Sequence, residues 1–401
     1  MTDLGAALFD EEFLQDPYPL YARMHARAPL HRVADSDFYV VCGWDAVTEA
    51  LARTEDFSSN LTGAMRVQPD GTVGLLPMDG LGSPSHALAT ADDPAHAVHR
   101  RMLLPQLSGR RIRALEAYVT DTMDELWSGV AGDRVEWMST VANRLPMMVV
   151  CHLIGVPGVD VDRITAWAYA STQILEGRVD DSTLASAGAA ALELGAYIAG
   201  HMTDVADDPP DNLLGVIATA CAAGELELVT GLAIMLTLFG AGGESTASLI
   251  GSAVGILATR PELQSELRAD PARIPAFLEE VLRYEPPFRG HYRHVLTDCD
   301  LAGARLPEGS RLLLLWGAAN RDPAHVDDPD EFRIDRPDSK AHLAFGRGAH
   351  FCVGAALARL EARIVLQHLL ERTSHVEMAE PGRWLPSLLV RRPEKLPLQI
   401  K

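Results

Sequence analysis

The sequence predicts a mainly α-helical protein with a small β portion, organised as a single domain over residues 1–401. Apolar residues recur at helical spacing along most of the chain, whereas only three short segments have the composition of strands. Turn signals interrupt the helical stretches, but no linker, internal repeat or low-complexity tract separates two halves of the chain. These observations favour one large helical body with too few strands for a large sheet.

Periodicity and capping signals place the individual elements along the chain. Helices are predicted at residues 18–27, 44–52, 94–103, 110–128, 141–154, 161–174, 182–205, 225–258, 261–268, 274–284 and 353–371. Strands are predicted at residues 38–41, 311–316 and 388–390.

The longest predicted helix, 225–258, differs from the others in length and composition. A helix of that length extends about 51 Å, which is enough to cross a whole domain. Its apolar run 228–239 raises the alternative of a membrane helix, but a membrane span needs roughly 20 apolar residues. Glycines and the charged Glu244 interrupt the run, so a buried core helix is the favoured interpretation.

Composition and charge restrict the class of protein and its partners. Hydrophobic residues make up 47% of the chain and charged residues 22%, which is typical of globular proteins and not of disordered or fibrous ones. The formal net charge of −20, without a basic run, argues against nucleic acid and anionic membranes as partners. Lysine occurs only at Lys340, Lys395 and Lys401, and this bias towards arginine indicates a G+C-rich, bacterial genome.

The five cysteines are scattered and odd in number, which does not suggest a disulfide framework. The N-terminus carries acidic residues where a secretory signal needs positive charge and then an apolar stretch. We therefore expect a cytoplasmic protein without an N-terminal membrane anchor.

The segment 345–354, Phe-Gly-Arg-Gly-Ala-His-Phe-Cys-Val-Gly, carries the strongest functional signal. It places Cys352 directly before a helix-forming run, where unpaired backbone N–H groups and the helix dipole favour a thiolate. Its glycines let the backbone pass close beneath a flat group, and haem is such a group. A structural buried cysteine is the alternative for this residue alone, and zinc is disfavoured because only His350 lies at ligand spacing.

This segment resembles the haem-ligand loop of the cytochrome P-450 superfamily, Phe-Gly-x-Gly-x-His-x-Cys-x-Gly, with every fixed position filled. The resemblance covers nearly the whole chain and is most specific over residues 238–363. It implies the fold of the soluble bacterial members, a single large triangular-prism-like domain around a long central helix. It also implies haem b as cofactor, with Cys352 as axial ligand of the iron and, beside the haem, Phe345, Gly346, His350 and Gly354.

The central helix contains a second motif, Ala-Gly-Gly-Glu-Ser-Thr at 241–246. Glycines 240, 242 and 243 predict that the helix opens there, with Glu244 and Ser245 as the nearest proton-handling groups. The alternative is that the glycines only permit close helix packing and that Glu244 is solvated or paired. By resemblance to the family motif, Ala241 and Gly242 adjoin the haem while Glu244 and Ser245 deliver protons, with Ser245 replacing the usual threonine.

Two groups of charged residues also match the family. The group implied to bind the haem propionates consists of His96, Arg100, Arg293 and His350. The group implied to form a buried structural triad consists of Glu280, Arg283 and Arg336. Without the resemblance, each of these residues would be interpreted as a surface charge or a weak surface ion pair.

Three residues are candidates for the substrate pocket. Phe288 and Arg289 follow a Pro-Pro turn, and Leu385 lies near the C-terminus. Arg289 is expected to select an anionic group on the substrate. The stretches 58–90 and 164–206 carry few recognisable motifs and fall where the family builds the cover of its substrate site.

The resemblance implies a haem-thiolate monooxygenase that inserts one oxygen atom from O₂ into an apolar small organic substrate, by hydroxylation or epoxidation. Electrons from NAD(P)H are expected through a ferredoxin and an NAD(P)H-dependent ferredoxin reductase, because the chain has no flavin or iron–sulfur segment. The expected docking face for the ferredoxin comprises Arg100, Arg101, Arg110, Arg111, Arg113, Arg347, Arg359 and Arg363.

Three other functions stay open at this point. The first is a haem-thiolate enzyme without O₂ insertion, such as a peroxygenase, an isomerase or a C–C coupling enzyme. The second is a non-enzymatic haem sensor or carrier, and the third is a hydrolase with a cysteine nucleophile.

Overall fold

The computed structural model describes residues 4–78, 86–157 and 161–401. Within these ranges the protein is mainly helical with a small β portion, which confirms the predicted fold class. Part of the stretch 58–90, which was expected to cover the substrate site, lies outside the described residues.

The helices lie in both halves of the described chain. They are α1 (Glu11–Gln15), α2 (Tyr18–His25), α3 (Trp44–Ala52), α4 (Ala95–Leu103), α5 (Gly109–Ala114), α6 (Glu116–Ser128), α7 (Arg144–Ile154), α8 (Val161–Thr172), α9 (Asp181–Asp204), α10 (Leu213–Ala222), α11 (Leu228–Ala258), α12 (Pro261–Ala269), α13 (Ile274–Tyr284), α14 (Trp316–Ala319) and α15 (Ala355–Arg372).

The strands are short. They are β1 (Leu30–Arg32), β2 (Phe38–Val41), β3 (Phe57–Ser58), β4 (Gly63–Val67), β5 (Val73–Pro77), β6 (Arg134–Glu136), β7 (His291–Val295), β8 (Cys299–Leu301), β9 (Ala304–Leu306), β10 (Arg311–Leu314), β11 (Val376–Met378), β12 (Arg383–Trp384), β13 (Pro393–Lys395) and β14 (Pro397–Ile400). The largest sheet has the order β1-β2-β10-β7-β3, in which only β2 and β10 are parallel. A three-stranded sheet has the order β11-β14-β6, and the other strands form two-stranded ribbons.

Helix α11 runs through the core and packs against α7, α8, α9 and α15. Its first half contributes Ile234 and Phe239 to a hydrophobic cluster shared with α7–α10. Its second half contributes Leu249 and Val254 to a cluster shared with α6, α13 and α15. Among the described helices, α11 alone is long and apolar enough to cross a membrane, and core helices of soluble proteins have the same properties.

Several predicted helix limits differ from those observed. The predicted helix 110–128 is two helices, α5 and α6, because the chain turns at Leu115. A π-helical turn at Met138–Ala142 precedes α7, which begins three residues later than predicted. Helix α11 begins at Leu228 because Glu227 is extended, with φ −68° and ψ 141°.

The predicted strand 388–390 is wrong. The Ser387 hydroxyl accepts hydrogen bonds from the N–H groups of Leu389 and Val390, which gives this segment a local turn. Only Val390 makes a β-bridge, to Phe288. The predicted strand 311–316 ends at Leu314. Three other elements were not predicted, namely helix α10 and the hairpins β4–β5 and β8–β9.

Candidate functional site

The loop that carries Cys352 is held by backbone hydrogen bonds and by two left-handed glycines. The Cys352 N–H donates to Phe345 O at 2.9 Å, which closes the loop on itself. Gly346 and Gly348 have φ of +67° and +71°, a conformation that side chains disfavour. These two glycines are therefore required by the turn itself, whereas the sequence suggested only a need for small residues.

The Cys352 sulfur lies next to the backbone N–H groups of Gly354 and Ala355 at the start of α15. Burial is the largest influence and raises the pKa of the Cys352 thiol, while these N–H groups and two arginines, Arg100 and Arg359, oppose it. The expectation that the helix start favours the thiolate is therefore only partly met. A coordinated metal ion changes the balance, because it deprotonates a bound thiol outright.

Aromatic side chains border the same loop. The Phe345 ring lies 6.3 Å from the Phe351 ring, centroid to centroid, and the Arg359 guanidinium stacks 4.5 Å from the Phe345 ring. Phe351 is 44% exposed. The loop thus presents apolar surface on either side of a cysteine that is itself only half-buried.

Four basic side chains from three parts of the chain come together beside this loop. The His96 and His350 rings stack at 3.9 Å, and Arg100 donates from Nη1 to Phe351 O at 2.8 Å. Arg293, on β7, is 8% exposed and influences the His350 ring electrostatically. The structure therefore brings together all four residues that the resemblance assigned to the propionates.

The cluster of four basic side chains has two acidic neighbours, Asp92 and Asp93, and Asp93 Oδ1 lies 3.3 Å from His96 Nδ1. Burial, helped by neighbouring His96 and Arg293, lowers the pKa of His350 to about 4. Burial also lowers the pKa of Arg293 to about 10, with Asp92 as the opposing charge. Asp92 is itself engaged by the Ser58 hydroxyl and the Ser59 N–H. Arg100 and Arg293 donate only to backbone carbonyls among the described residues and form no ion pair there. A ligand with two carboxylates, such as haem, therefore fits this cluster.

The motif on α11 does not open the helix, so that prediction is wrong: α11 is continuous through residues 240–246. A Cβ at Gly242 would lie 2.7 Å from Val150 Cγ2, and one at Gly243 would lie 2.5 Å from Met147 Cε. The glycines thus allow α11 to approach α7 closely, which was the alternative interpretation.

One face of α11 is nevertheless accessible in the middle of the core. Ala241 is exposed, and Gly242 and Ser245 are half-buried, although most residues around them are buried. Positions 241, 242 and 245 share one helix face because they are three and four residues apart. This accessible face is where a ligand can contact the central helix. The Ser245 hydroxyl donates to Ala241 O at 2.5 Å.

Glu244 points away from that face and is buried, with 2% of its surface exposed. Its Oε2 accepts a hydrogen bond from the Thr172 hydroxyl at 2.7 Å, and its Oε1 lies 3.3 Å from Arg392 Nε. Burial raises the pKa of the Glu244 carboxyl, and Arg392 and Thr172 oppose the rise. Glu244 is thus paired, as the alternative interpretation stated.

The three triad residues meet in the interior. Arg283 donates from Nε and Nη2 to the two carboxylate oxygens of Glu280, both at 2.8 Å. Arg336 donates from Nε to Glu280 Oε1 at 3.1 Å. Arg283 also binds the carbonyls of Asn320 and Pro329, so the triad ties α13 to the segment before the cysteine loop.

Of the three candidates for the substrate pocket, Arg289 was wrongly predicted. It is 1% exposed and donates to the carbonyls of Phe13 and Leu14, at 3.3 and 2.6 Å. It therefore holds the end of α1 and cannot reach a substrate. Phe288 and Leu385 are half-buried and stay candidates.

Sequence reasoning missed several residues at the site. Arg392, Thr172 and Tyr169 surround Glu244, and no motif in the sequence links them to it. His291 begins β7, and burial lowers its pKa to about 4. Since His291 lies two residues from Arg293 on the same face of a strand, strand alternation was the signal that could have identified it.

Comparisons with known proteins identify the family. A family model described as Cytochrome P450 matches residues 222–396. Cytochrome P450 144 of Mycobacterium tuberculosis is 58% identical over 394 residues, covering 98% of this chain and 91% of that protein. Cytochrome P450 monooxygenase PikC of Streptomyces venezuelae is 32% identical, covering 100% of this chain and 94% of that protein. The solved structure of cytochrome P450 CYP109Q5 from Chondromyces apiculatus has a TM-score of 0.85 at 31% identity, covering 98% of this chain and 97% of that one.

Three features agree with these relatives: the half-buried cysteine at a helix start, the cluster of four basic side chains beside it and the accessible face of the central helix. The chain therefore belongs to the cytochrome P450 family and is a haem-dependent P450 monooxygenase.

Proposed function

We propose that this protein is a cytoplasmic, single-domain enzyme that inserts one oxygen atom from O₂ into an apolar small organic substrate. The proposed reaction is either hydroxylation or epoxidation of that substrate. The observation that carries the proposal is the Cys352 loop, in which an accessible thiol lies beside backbone N–H groups and four converging basic side chains. An acid and a hydroxyl adjoin each other on the central helix, and they supply the proton-handling groups that such a reaction needs.

We propose that haem b is the cofactor and that the following residues would hold it. Cys352 Sγ would bind the iron, while His96, Arg100, Arg293 and His350 would bind the propionates. The walls of the site would be formed by Phe345, Gly346, Gly354, Ala241 and Gly242. When bound, a haem with a thiolate ligand supplies the redox chemistry that activates O₂ and favours O–O cleavage.

The protein's own contribution is to position substrate and to move protons. Ser245 Oγ is the hydroxyl on the accessible face of α11, and Glu244 is the adjacent acid. The Ser245 hydroxyl now donates to Ala241 O, so it must rotate before it can donate towards a ligand. Serine lacks the threonine methyl that restricts χ1, so this rotation is easier. The direction in which the Ser245 hydroxyl donates its proton is therefore less well defined.

The primary test is the absorption spectrum of the reduced protein with carbon monoxide. The parent is expected to give the red-shifted band of a haem-thiolate, and Cys352→Ser should lose it while keeping the helical content of the parent. Cys352→Ser with an unchanged band would exclude this cysteine as ligand. Absence of the band in the parent would exclude the proposed function.

The serine in place of threonine favours a second candidate, a haem-thiolate enzyme that does not insert oxygen from O₂. Product formed under ¹⁸O₂ distinguishes the two, because only the monooxygenase transfers the label. Ser245→Ala should release more peroxide per NADPH consumed, and Ser245→Thr is the matched control that should release no more than the parent. Equal coupling in all three proteins would remove Ser245 from proton delivery.

We further propose that electrons from NAD(P)H arrive through a ferredoxin and its reductase, at a basic face next to α15. A groove of about 290 Å³ lies there, lined by apolar side chains, by Arg113, Arg359 and Arg363, and by the acidic Glu279. Arg359 and Arg363 are paired with Glu279 and Glu116, at 2.6 and 2.7 Å. They are therefore less available to a partner than the sequence suggested.

Arg111 and Arg100 are also engaged within the protein, with Asp211 and with a backbone carbonyl. Of the eight arginines of the expected docking face, Arg101, Arg110, Arg113 and Arg347 are exposed and form no hydrogen bond or ion pair with the described residues. These four arginines are the better candidates for contact with an acidic ferredoxin.

Charge reversal tests this face. The double variant Arg110→Glu/Arg113→Glu should slow reduction by ferredoxin about 10-fold or more at low ionic strength. Arg23→Glu, at an exposed position on α2, is the control and should leave the rate unchanged. Peroxide-driven turnover should be the same in all proteins, and an unchanged reduction rate in the double variant would refute the docking face.

A further inference from the structure

The loop between β12 and β13, residues 385–392, lies next to the accessible face of α11. The guanidinium of Arg392 reaches the carboxylate of Glu244 on α11, with 3.3 Å between Nε and Oε1. The Ser248 hydroxyl, further along α11, donates to the carbonyl of the preceding loop residue. These two contacts lie on either side of Ser245 in the helix, one residue before it and three residues after it. The β12–β13 loop therefore runs beside the part of α11 that a ligand can contact.

The two remaining candidates for the substrate pocket belong to the same part of the protein. Leu385 is the first residue of the β12–β13 loop and is half-buried. Phe288 is also half-buried and makes a β-bridge to Val390, near the other end of the loop. The contacts that fix the loop therefore also fix the side chains that it can offer to a substrate.

The end of α1 holds the β12–β13 loop where the loop begins. Gln15 is the last residue of α1, and Trp384 is the last residue of β12. Gln15 Nε2 donates to Trp384 O at 2.9 Å, and the Trp384 N–H donates to Gln15 Oε1 at 3.0 Å. A side-chain amide has one donor side and one acceptor side, so it pairs with both backbone groups of a residue as a neighbouring strand does. The Gln15 amide therefore fixes the position of Trp384.

The end of α1 also holds the β12–β13 loop near its other end. Arg391 donates from Nη1 to Gln15 O at 2.8 Å, and its guanidinium stacks 3.5 Å from the centroid of the Trp384 ring. Arg289, whose side chain binds two carbonyls of α1, donates its backbone N–H to Leu389 O at 2.6 Å. Gln15 thus contacts the start of the loop through its side chain and the end of the loop through its carbonyl.

Gln15 differs from the charged residues around it in what its replacement would do. Arg391 and Glu285 form an ion pair with 2.8 Å between Nε and Oε2, and their side chains are 4% and 9% exposed. Removing either partner would leave a buried charge unpaired and disrupt the fold. Gln15 is neutral and half-buried, so its replacement loosens the loop without creating such a charge.

We propose that Gln15 is a positioning residue for substrate binding, which acts through Trp384 to fix the β12–β13 loop and the place of Leu385 in the pocket. The inference rests on the proposed function, because it takes the accessible face of α11 as the place of the substrate. Gln15 does not itself touch the substrate. It determines how well the pocket fits an apolar substrate that is long enough to reach the loop, and it has no effect on small ligands of the haem.

The first measurement is the affinity of the haem-loaded protein for imidazole and for 1-alkylimidazoles with linear chains from methyl to dodecyl, followed by the shift of the haem absorption band. In the parent, each methylene that becomes buried should raise the affinity about 4-fold. Gln15→Leu should bind imidazole and 1-methylimidazole as the parent does. It should bind the longest chains more weakly by about 4-fold or more, the equivalent of one buried methylene.

Two further variants show whether the effect belongs to the loop. Leu385→Ala should weaken binding of the same long chains, because it removes a contact directly. Gln399→Leu is the matched control: this glutamine lies on β14, accepts from Arg134 Nε at 3.3 Å and should behave as the parent does. Parent-like affinity of Gln15→Leu for every chain would overturn the proposal. A loss of the same size for all ligands, imidazole included, would also overturn it, because the substitution would then affect the haem site as a whole.

The second measurement is hydrogen exchange of backbone amides, detected by mass spectrometry. In Gln15→Leu, the peptide 384–392 should exchange faster than in the parent by about 10-fold or more, while the peptide 345–355 keeps the rate of the parent. Gln15→Glu keeps an acceptor for the Trp384 N–H but lacks the donor to Trp384 O. It should show a smaller increase, and it replaces Gln15→Leu if that variant does not fold. Equal acceleration of both peptides would overturn the proposal, because Gln15 would then only stabilise the fold.

The two proposals can fail separately. If the parent gives no haem-thiolate band with carbon monoxide, the proposed function fails, whatever the exchange rates of the β12–β13 loop. If the band is normal in the parent and in all variants, but Gln15→Leu changes neither the affinity for long chains nor the exchange of peptide 384–392, only the positioning role of Gln15 is refuted.

Discussion

Replacement of Glu280 by Gln tests whether the buried triad stabilises the fold. The Glu280 carboxylate is 1% exposed and accepts hydrogen bonds from two nitrogens of Arg283 and one of Arg336. It also accepts from the Arg333 N–H at 2.8 Å. Gln keeps the shape of the side chain but removes the charge, which leaves two buried guanidinium groups uncompensated. Breaking a buried ion pair in this way costs about 3–5 kcal/mol.

The expected change in Tm follows from the size of the protein. An unfolding entropy of about 2.1 cal/mol/K per residue gives ~0.84 kcal/mol/K for 401 residues. A loss of about 4 kcal/mol therefore lowers Tm by about 5 °C. Differential scanning calorimetry of the haem-loaded protein, at one scan rate for all variants, measures this change.

The matched control is a surface ion pair. Arg305 and Asp298 are 59% and 60% exposed, with 3.1 Å between Nη2 and Oδ2. Arg305→Gln should change Tm by less than about 1 °C, because exposed pairs contribute little. A decrease for Glu280→Gln no larger than that for Arg305→Gln would refute the stabilising role of the triad.

Three further predictions follow from the packing and the charges. Gly242→Ala should lower Tm, because overpacking against Val150 costs about 1–3 kcal/mol and exceeds a gain in helix propensity of about 1 kcal/mol. Gly200→Ala, whose Cβ meets no atom within 4 Å, should raise Tm, and shifts of the same sign would contradict the packing role of Gly242. Arg289→Met should lower Tm but leave the affinity for carboxylate ligands unchanged in spin-state titrations. Weaker binding of these ligands to the variant would show that Arg289 does contribute to the substrate pocket. Arg359 and His342 hold the pKa of Glu279 at about 2 against the effect of burial, so its stabilising contribution is present above pH 4.5 and is lost as the pH falls towards 2. Urea denaturation over this range should show that Glu279→Gln lacks an acid-dependent loss on the order of 3 kcal/mol, and parallel curves for parent and variant would contradict this.

The cysteine loop and its helix were predictable because their determinants are local. Cys352 precedes a run of helix-forming residues, and glycines keep the backbone of its loop small, although the left-handed conformation of Gly346 and Gly348 was not predicted. These properties depend on neighbours a few residues away, so they are readable from the sequence. The convergence of His96 and Arg293 with this loop was predictable only through the family resemblance.

The interpretation of the α11 glycines shows where local reasoning fails. Glycines lower helix propensity, and propensity alone favoured an opening near Glu244. The structure keeps the helix intact because close packing of Gly242 and Gly243 against α7 provides contacts that outweigh the propensity cost of about 1 kcal/mol each. Propensity is a property of the segment, whereas packing is a property of its neighbours.

The ionisable residues outside the motifs depended entirely on the tertiary structure. Arg289 follows a Pro-Pro turn, as a pocket residue of the family does, yet its side chain binds carbonyls of the N-terminal helix α1. Arg392 lies 148 residues from Glu244 in the chain, and no pattern connects the two. Glu176 belongs to no motif in the sequence, and burial, with repulsion from Glu244, raises its pKa to about 7 only in the folded protein.

The fold class, the cysteine loop and the adjacent positions of Glu244 and Ser245 on the central helix were all predictable from local patterns in the chain. Helical periodicity, turn chemistry and motif spacing encode these features over short distances along the chain. Which charges are buried, and which partner each of them has, could be seen only in the folded protein. Desolvation and ion pairing depend on distances in space between residues that are far apart in the chain, and no local pattern encodes those distances.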